Sequence, residues 1–477
     1  MERNHRANKG SLAMSSVRTD RTLASILRSP ALAVVAAYGL RMALLWFSHH
    51  NEDPVHPSFE TVGMENDLVA MSLAMGKGFF GPYPGYEAVT AVIAPVYPLL
   101  SAIGYKLFHL DVFGAVVFCQ TINSAFSAAT CWPIFAIGKK VFSERVGLAS
   151  AWLWAFLPFA VLLPLEWTWD QSLAALMLAL IVSATLSLRE STSSLYWSGY
   201  GLLWGFAALV NPTLCILLPF FLGWLVIRRW QRARPSIGLV MRTIFLFILT
   251  LMPWTIRNYY AVDGLVFVKT NFGLEFWLGN NPAVKDVYSP ELHPISSYME
   301  RVQLILSGEP NYNQMKQQQA IAFIRAHPRV FLKNLLDRFL DNWAATYDSR
   351  VDPWIRTLHL SRTDVWFSSV FSALSFAGMI LALRDNLPDS LPLAMCLLLF
   401  PIPYYVTHTA LRYRHPIDPF MTIFTVYAIV RFWSALRGRV VLNKFDKSES
   451  AIEALDPVAT GEISGVTDRL ARLPVQR

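Results

Sequence analysis

The sequence predicts an all-α polytopic membrane protein with about ten membrane-spanning helices. Of its 477 residues, 54% are hydrophobic and only 16% are charged, whereas a soluble domain carries about a quarter charged residues. Ten apolar runs approach the roughly 20 residues that a helix needs to cross the hydrocarbon core of a membrane. Lysine and arginine concentrate in every second connection between these runs, which is typical of alternation between two membrane faces.

The apolar runs begin after a polar, arginine-rich stretch of 29 residues. No cleavage-site pattern follows the first run, which we interpret as a retained anchor rather than a signal peptide. Asn211-Pro212 separates the fifth run from the sixth, because proline disfavours a helical conformation in the residue before it. The predicted spans are 30–48, 112–138, 146–164, 172–188, 196–210, 213–227, 238–255, 363–383, 389–406 and 417–436.

The distribution of positive charge predicts that both termini are cytoplasmic in a bacterial-type cell membrane. The segment 49–110, between the first two spans, instead carries six acidic residues and two lysines, which places it on the outer face. The net charge of +8 is therefore a signal of topology, and nucleic acid is excluded as a partner. Basic residues of the predicted cytoplasmic side are Arg3, Arg6, Lys9, Arg18, Arg21, Arg28, Lys139, Lys140, Arg145, Arg189, Arg228, Arg229, Arg232, Arg234, Arg384, Arg437, Arg439 and Lys444.

Two long outer segments carry most of the polar sequence. In the first, Asn66 or Asp67 is predicted to cap a short interfacial helix that Gly76-Lys-Gly78 ends. In the second, a helix-like stretch runs through Gln314–Trp343, and we expect the segment to cover the outer mouth. The predicted regions are a cytoplasmic tail at 1–29, an N-terminal membrane region at 30–255 with the outer loop 49–110, a lid-like segment at 256–362, C-terminal spans at 363–436 and a cytoplasmic tail at 437–477.

The unusual polar residues fall on one predicted face of the membrane, which favours an enzyme over a carrier. Glu65 and Asp67 lie in the first outer loop, Glu166 and Asp170 in the second, and the basic run 412–416 lies before the last span. A transporter with alternating access typically places its polar groups near mid-membrane, between two matching repeats, and we find no such repeat. A lipid or sugar flippase and a non-enzymatic scaffold for cell-envelope assembly remain the alternative interpretations.

Several motifs, in this order, resemble the glycosyltransferase family 39 branch of the GT-C superfamily. They are ENDLVAMSLAMGKGF at 65–79, PVYP at 95–98, WDQSL at 169–173, PWTIRN at 253–258, GEPNY at 308–312 and RYRHP at 412–416. This branch contains the protein O-mannosyltransferase-like enzymes and the lipid A aminoarabinose transferases. The likeness extends from about residue 30 to 435 in scattered short motifs.

This resemblance implies a transferase that passes a sugar from a polyprenyl-phosphate donor to a hydroxyl on the outer face. The acceptor would be a protein, a lipid or a glycan. The catalytic acid of the family matches Glu65, although the order Glu-Asn-Asp leaves Asp67 as the alternative. The second acid of the aminoarabinose transferases matches Asp170, with Glu166 as the alternative. Tyr97 is expected in the cavity wall.

The chemistry of this transfer explains why carboxylates and arginines are needed. The acceptor hydroxyl must lose a proton as it attacks, and one carboxylate acting as a general base contributes roughly 10²–10⁴-fold. Attack opposite the leaving group inverts the anomeric carbon. Glu65 is the predicted base, and Asp170 would orient the acceptor or share a Mg²⁺ or Mn²⁺ ion with it, since hard oxygen ligands suit these metals.

The departing lipid phosphate needs positive charge, and arginine binds phosphate in bidentate fashion. The cluster of Arg412, Arg414 and His415 precedes the last span, where a lipid headgroup would arrive, although arginines at a helix end also snorkel to membrane headgroups. Arg41 lies inside the first span, where a charge usually faces a cavity or a partner. Arg257 is a weaker candidate for the same role. Glu309, His56 and His408 are interpreted as ordinary loop residues.

Overall fold

The computed structural model describes residues 29–51, 64–166, 168–234, 237–284, 287–346 and 363–436. Across these residues the regular structure is helical, apart from an isolated β-bridge between Phe80 and Val89. The all-α prediction is therefore confirmed. The two predicted tails, with the exception of Ser29, and His56 lie outside the described residues.

The helices follow the predicted apolar runs closely in the N-terminal half. Asn211 and Pro212 separate α9 from the next span, as predicted, and a short 3-10 helix at Pro212–Leu217 follows the break. The helices up to this break are α1 (Pro30–Asn51), α2 (Met64–Ala74), α3 (Val96–Leu107), α4 (Val112–Ala129), α5 (Cys131–Val141), α6 (Glu144–Phe156), α7 (Pro158–Glu166), α8 (Gln171–Leu188) and α9 (Ser194–Val210).

The C-terminal half alternates long apolar helices with shorter helices of the second outer segment. Its helices are α10 (Leu218–Trp230), α11 (Ile237–Val262), α12 (Phe272–Gly279), α13 (Tyr298–Ser307), α14 (Glu309–Ala326), α15 (Pro328–Ala344), α16 (Thr363–Arg384), α17 (Leu391–Leu399), α18 (Ile402–Val406), α19 (Leu411–Arg414) and α20 (Asp418–Leu436). The chain thus returns to the membrane with α16 after the second outer segment.

Seven helical stretches of the described chain are long and apolar enough to cross a membrane, and the bent pair α6–α7 makes an eighth. These spans confirm a multi-pass membrane protein. The predicted spans 196–210 and 417–436 form as α9 and α20 but do not belong to that set. The predicted span 146–164 is bent by 42° between α6 and α7, because Pro158 disfavours a helical conformation at Leu157.

Glycines bring the long helices close together. A Cβ added to Gly201 of α9 would lie 2.5 Å from the carbonyl oxygen of Thr243 in α11. A Cβ on Gly378 of α16 would lie 1.9 Å from the carbonyl oxygen of Phe424 in α20. Small residues allow helices to approach in a membrane, where lipid tails supply no hydrophobic driving force between them. These two contacts fix the helix pairs on either side of the main apolar core.

The first outer segment contains two helices, α2 and α3, which pack against each other. The prediction that Asn66 or Asp67 caps α2 is wrong, because the helix already begins at Met64 and both residues lie in its first turn. There they bond to a loop about 100 residues further along the chain instead of capping the helix. The predicted end is confirmed, since Gly76 and Gly78 adopt positive φ angles of 79° and 82°, which glycine tolerates.

The second outer segment is built from α12 to α15 and the loops before them. Its first residues differ from the prediction, because α11 continues to Val262. The predicted helix-like stretch through Gln314–Trp343 is helical and consists of two helices, α14 and α15, separated at His327. Proline suits the first position of α15, because its fixed φ is compatible with a helix. The N–H that it lacks would have no hydrogen-bond partner within the helix at that position.

Candidate active site

A cavity of about 760 Å³ opens between the two outer segments and the ends of the membrane helices. The start of α2, the loop before α8, the 265–275 segment and α14 contribute walls to it. Its ionisable lining residues are Glu65, Tyr83, Tyr97, Asp170, Lys269, Glu275, His293, Tyr404, His408 and Tyr413. The cavity therefore concentrates acidic and basic groups on the side of the molecule that carries the outer segments.

Glu65 lines this cavity from the first turn of α2. Its side chain is almost fully buried, and His293 Nε2 lies 3.4 Å from its Oε1 atom. Burial raises the pKa of Glu65 above its ordinary value, since the charged form loses its hydration, and Glu275 adds to the rise. His293 and Arg412 oppose the rise. A carboxylate with a raised pKa holds a proton well once it has accepted one.

Asp67 is buried beside the cavity but does not line it. Thr168 Oγ1 donates a 3.1 Å hydrogen bond to its Oδ2 atom. Burial raises the pKa of Asp67 to about 7, against opposing hydrogen bonds from Thr168 and Tyr105. Side chains two residues apart on a helix point in directions about 200° apart around its axis. This explains why Glu65 and Asp67 face different surroundings.

The loop before α8 carries the second acidic site and is tied to α2. Asn66 Nδ2 donates a 3.0 Å hydrogen bond to the carbonyl oxygen of Thr168. Two residues later, Asp170 lines the cavity. Burial raises the pKa of Asp170 to about 6, while Lys269 and a hydrogen bond with Asn211 oppose the rise. The two outer acids that the sequence placed 105 positions apart thus share one cavity.

Glu166 and Tyr97, the two predicted cavity residues, have different positions. Glu166 ends α7, is exposed and does not line the cavity. Tyr97 lies in the cavity wall, and Asn123 Nδ2 donates a 2.7 Å hydrogen bond to its hydroxyl oxygen. This bond connects Tyr97 of α3 to Asn123 of α4.

Arg412 lies in the short helix α19 and is not itself a lining residue of the cavity. Its guanidinium carbon is 5.1 Å from the ring centre of Tyr413, which lines the cavity. The positive charge of Arg412 lowers the pKa of both Glu65 and Asp170. Arg412 is therefore the predicted phosphate-binding arginine whose field reaches both cavity acids.

Arg414 and His415 are buried outside the cavity and bind Asp418. Arg414 Nε donates to Asp418 Oδ1 at 3.0 Å, and His415 Nδ1 lies 3.2 Å from the other oxygen. Arg414 Nη1 also donates to the carbonyl oxygen of Asn342 at 3.1 Å and to Ser368 Oγ at 2.9 Å. These bonds join α19 to the end of α15 and to α16.

Arg41 and Arg257 likewise make protein contacts away from the cavity lining. Arg41 is fully buried and donates to the carbonyl oxygens of Ala37, Ala155 and Ala160 at 2.7–3.2 Å. Arg257 donates to the carbonyl oxygen of Thr90 at 2.6 Å. Arg41 thereby connects α1 to α6 and α7, and Arg257 connects α11 to the first outer segment.

Four of the acidic and basic residues that line the cavity were not predicted as functional residues. Lys269 faces Asp170, and His293 faces Glu65. His408, interpreted from the sequence as an ordinary loop residue, lines the cavity with its Nδ1 atom 3.5 Å from Glu275 Oε2. Burial lowers the pKa of His408. The signal that pointed toward Lys269, Glu275 and His293 was their position in the segment expected to cover the mouth.

Glu309, also interpreted as a loop residue, is the first residue of α14 and is buried. Its Oε2 atom accepts hydrogen bonds from the backbone N–H of Ala91 at 2.9 Å and from Thr270 Oγ1 at 3.2 Å. Glu309 thus joins the two outer segments behind the cavity. Among the described residues, no group of three or more His, Cys, Asp or Glu side chains could hold a metal ion.

The helical architecture is the GT-C fold of membrane glycosyltransferases. The structure is similar to the crystal structure of the Archaeoglobus fulgidus oligosaccharyltransferase in complex with Zn and sulfate, with a TM-score of 0.51 and 16% sequence identity. The match covers 86% of this chain and 50% of the other, so the chain spans about half the length of that protein. At this identity the similarity establishes the fold.

Within this fold, residues 92–256 match the family described as dolichyl-phosphate-mannose-protein mannosyltransferase. The match includes Tyr97 and Asp170, whereas Glu65 and Arg412 lie outside it. The resemblance to the GT-C superfamily that the motifs predicted is thus confirmed. No curated protein sequence matches the chain.

Two further solved structures have lower scores. One is the archaeal oligosaccharyltransferase AglB from Archaeoglobus fulgidus in complex with an inhibitory peptide and a dolichol-phosphate, with a TM-score of 0.48, 15% identity and coverage of 89% of this chain and 53% of that one. The other is ArnT from Cupriavidus metallidurans bound to undecaprenyl phosphate, with a TM-score of 0.35, 12% identity and coverage of 83% and 77%.

Proposed function

We propose that this protein is a glycosyltransferase that moves a sugar from a polyprenyl-phosphate donor to an acceptor hydroxyl. The observation that carries the proposal is the convergence of Glu65 and Asp170 on one cavity, within the positive field of Arg412. The GT-C fold and the mannosyltransferase family match support the same reaction class. The acceptor is a protein, a lipid or a glycan.

Glu65 is the proposed general base. Its carboxylate takes the proton of the acceptor hydroxyl while the hydroxyl oxygen forms a bond to the anomeric carbon of the sugar. The bond between that carbon and the donor phosphate oxygen breaks, and its electron pair leaves with the polyprenyl phosphate. Because burial raises the pKa of Glu65, the group is a stronger base than an exposed glutamate, which suits proton removal near neutral pH.

Asp170 and Lys269 form the proposed acceptor-positioning side of the cavity. Asp170 can accept a hydrogen bond from an acceptor hydroxyl, and Lys269 keeps the carboxylate charged by opposing the effect of burial on its pKa. The pKa of about 6 leaves Asp170 mostly ionised at neutral pH. The carboxylates of Glu65 and Asp170 also offer oxygen atoms of the kind that Mg²⁺ or Mn²⁺ prefers, although the reaction written above needs no metal-bound step.

Arg412 is the proposed group that stabilises the departing phosphate. The leaving phosphate gains negative charge as the bond to the sugar breaks, and charge that grows in the transition state is where a fixed cation contributes most. Arg412 directly precedes Tyr413, which lines the cavity, and its charge acts on both cavity acids.

Arg41, Arg257, Arg414 and His415 do not belong to the proposed phosphate site. Their side chains are engaged with backbone carbonyls or with Asp418. For the membrane topology we propose a bacterial-type cell membrane, with the cavity on the extracytoplasmic face and both termini in the cytoplasm. The excess of arginine at the opposite ends of the helices supports this orientation.

The decisive experiment is transfer by the purified full chain in liposomes. Polyprenyl-phosphate donors carrying different radiolabelled sugars are incubated with envelope extract, and products are separated from the donor and identified by mass spectrometry. We expect one donor to lose its sugar to an acceptor, and Glu65→Gln to prevent this. Movement of an unaltered labelled lipid between leaflets, without transfer from any donor, would instead support a flippase and would contradict the proposal.

A further inference from the structure

A second cavity, of about 630 Å³, lies at the opposite end of the helices that form the active-site cavity. Residues 210–213 and 403–404, at one end of two membrane spans, border the active-site cavity. The other ends of the same spans, Pro212–Trp230 and Pro388–Val406, supply most of the second cavity. The two cavities therefore lie at opposite faces of the membrane.

The second cavity is an apolar groove between α10 and the junction of α16 with α17. Its apolar lining residues are Pro219, Phe220, Trp224, Ile227, Leu383, Leu387, Pro388, Leu391 and Met395. From Pro219 to Arg228, nine residues further on, α10 rises about 13 Å at 1.5 Å per residue. This depth is close to half of the roughly 30 Å hydrocarbon core. The groove thus has the reach of an acyl chain from a single leaflet.

The polar end of the groove is formed by Arg228 and Gln231, beside Asp389. Arg228 Nη1 donates a 3.1 Å hydrogen bond to Gln231 Oε1, and Arg228 Nη2 lies 3.9 Å from Asp389 Oδ1. The Nε atom of Arg228 and the Oδ1 atom of Asp389 are buried and have no hydrogen-bond partner within the described chain. Buried polar groups are normally hydrogen-bonded, so we expect the Nε–H of Arg228 to donate to an acceptor on a bound molecule.

Cations outnumber anions around this end of the groove. Asp389 is already paired with Arg189, which leaves Arg228 incompletely neutralised. The neighbouring charged side chains are the basic Arg189, Arg229, Arg232 and Arg234 and the acidic Glu190 and Asp389. An anionic group therefore gains more here than a neutral or zwitterionic one.

We propose that this groove binds an anionic diacyl phospholipid of the leaflet opposite the active site. One acyl chain occupies the apolar groove, and the phosphate accepts hydrogen bonds from Arg228. The site is separate from the polyprenyl-phosphate donor, whose headgroup reacts at the other membrane face. The proposal rests on the groove and its charge, and does not depend on the reaction assigned to the active-site cavity.

Native mass spectrometry of the full chain tests the proposal. Protein released from detergent is titrated with phosphatidylglycerol, phosphatidylethanolamine or phosphatidylcholine of identical acyl chains. We expect one phosphatidylglycerol to remain bound preferentially, and Arg228→Gln to weaken its retention roughly tenfold, the effect of losing a charged hydrogen bond. Arg145→Gln is the matched control, because Arg145 is exposed and lies outside the groove.

A second variant tests the acyl-chain part of the site without changing charge. Gly223 lines the groove, and a Cβ built on it meets no atom within 4 Å, so Gly223→Leu fills the groove without a clash at the backbone. Retention should fall as it does for Arg228→Gln. Gly199→Leu, at another open helical glycine, should change nothing. Equal retention of all three lipids, or unchanged retention of phosphatidylglycerol in either groove variant, would each overturn the proposal.

Discussion

The start of α2 and the short helix α19 have the same spacing of charged residues, and in each of them the two charged side chains lie in different environments. Each carries two like charges with one residue between them, Glu65 and Asp67 in α2 and Arg412 and Arg414 in α19. Glu65 lines the active-site cavity and Arg412 directly precedes Tyr413, which lines it, whereas Asp67 and Arg414 are held inside the protein. Residues two apart on a helix do not face the same side, so the pattern follows from backbone geometry.

Asp67 and Arg414, the two residues that are held inside the protein, are stabilised to different extents. Asp67 receives a hydrogen bond from Thr168, and its burial raises its pKa to about 7, so it is partly protonated at neutral pH. Arg414 instead forms an ion pair with Asp418 and further bonds to Asn342 and Ser368. A guanidinium cannot lose its proton to escape burial, whereas a carboxylate can gain one. Arg414 is therefore held by a charged partner, whereas Asp67 is held by neutral hydrogen-bond donors.

Replacing Glu65 and Asp67 separately by their amides should give the largest difference in turnover between two neighbouring variants. Glu65→Gln keeps the shape of the side chain but removes the base, so we expect kcat to fall roughly 10²–10⁴-fold. Asp67→Asn preserves an acceptor for Thr168 and resembles the protonated aspartic acid, so transfer should stay within about tenfold of the wild type. The measurement is turnover of a labelled polyprenyl-phosphate donor by protein that elutes as a single species.

A reversed result, with Asp67→Asn inactive and Glu65→Gln active, would assign the base to Asp67. Near-normal turnover by both variants would exclude this turn of α2 from proton transfer. Circular dichroism of both variants provides the control for folding, because neither amide changes side-chain volume appreciably.

Replacing Arg412 should have the next largest effect on turnover. Arg412→Gln takes away the cation proposed for the leaving phosphate, and loss of one such stabilising group typically lowers kcat 10²–10³-fold. Arg412→Lys keeps the charge without the bidentate geometry and should retain an intermediate rate. The rates are compared at saturating donor. Equal rates for the wild type and Arg412→Gln would show that the phosphate is stabilised elsewhere.

The inner arginine of that pair should affect stability rather than chemistry. Arg414→Leu leaves Asp418 buried beside His415 without its main partner, which typically costs about 3–5 kcal/mol. We expect a clear fall in the thermal midpoint of the detergent-solubilised protein. Lys139→Ala, which breaks an exposed pair with Glu144, should change stability by less than about 1 kcal/mol. An unchanged midpoint for Arg414→Leu would contradict the assigned role.

Local composition predicted the helices well, because apolar run length and proline act within the segment that they shape. The first span, the break at Asn211-Pro212 and the end of α2 at Gly76 all follow from neighbouring residues. The break before Pro328 was equally local but was overlooked in a polar, helix-favouring stretch. Helix bounds thus depend mostly on residues that are close together in the sequence.

The division of each charged pair could not be predicted, because it depends on distant residues. Asp67 meets Thr168, 101 positions away, and Arg414 meets Asn342, 72 positions away. His293 and Lys269 lie in the segment that was expected to cover the mouth, but no local pattern indicates which of its side chains reach the cavity. The sequence therefore predicted acidic residues that the structure brings to one cavity, but the choice among neighbouring charges required the tertiary contacts.

The smallest expected effect concerns His293, a positioning residue for the outer acid of the first pair. Burial raises the pKa of Glu65, and His293 opposes that rise, so His293→Gln should raise the pKa further. A base works only when deprotonated, and activity is lost as the pH falls through its pKa. The acid limb of the kcat/KM profile should therefore move to higher pH, while the rate above it stays near that of the wild type. His327→Gln, at an exposed histidine, should leave the profile unmoved, and an acid limb that moves to lower pH in His293→Gln would contradict the pairing with Glu65.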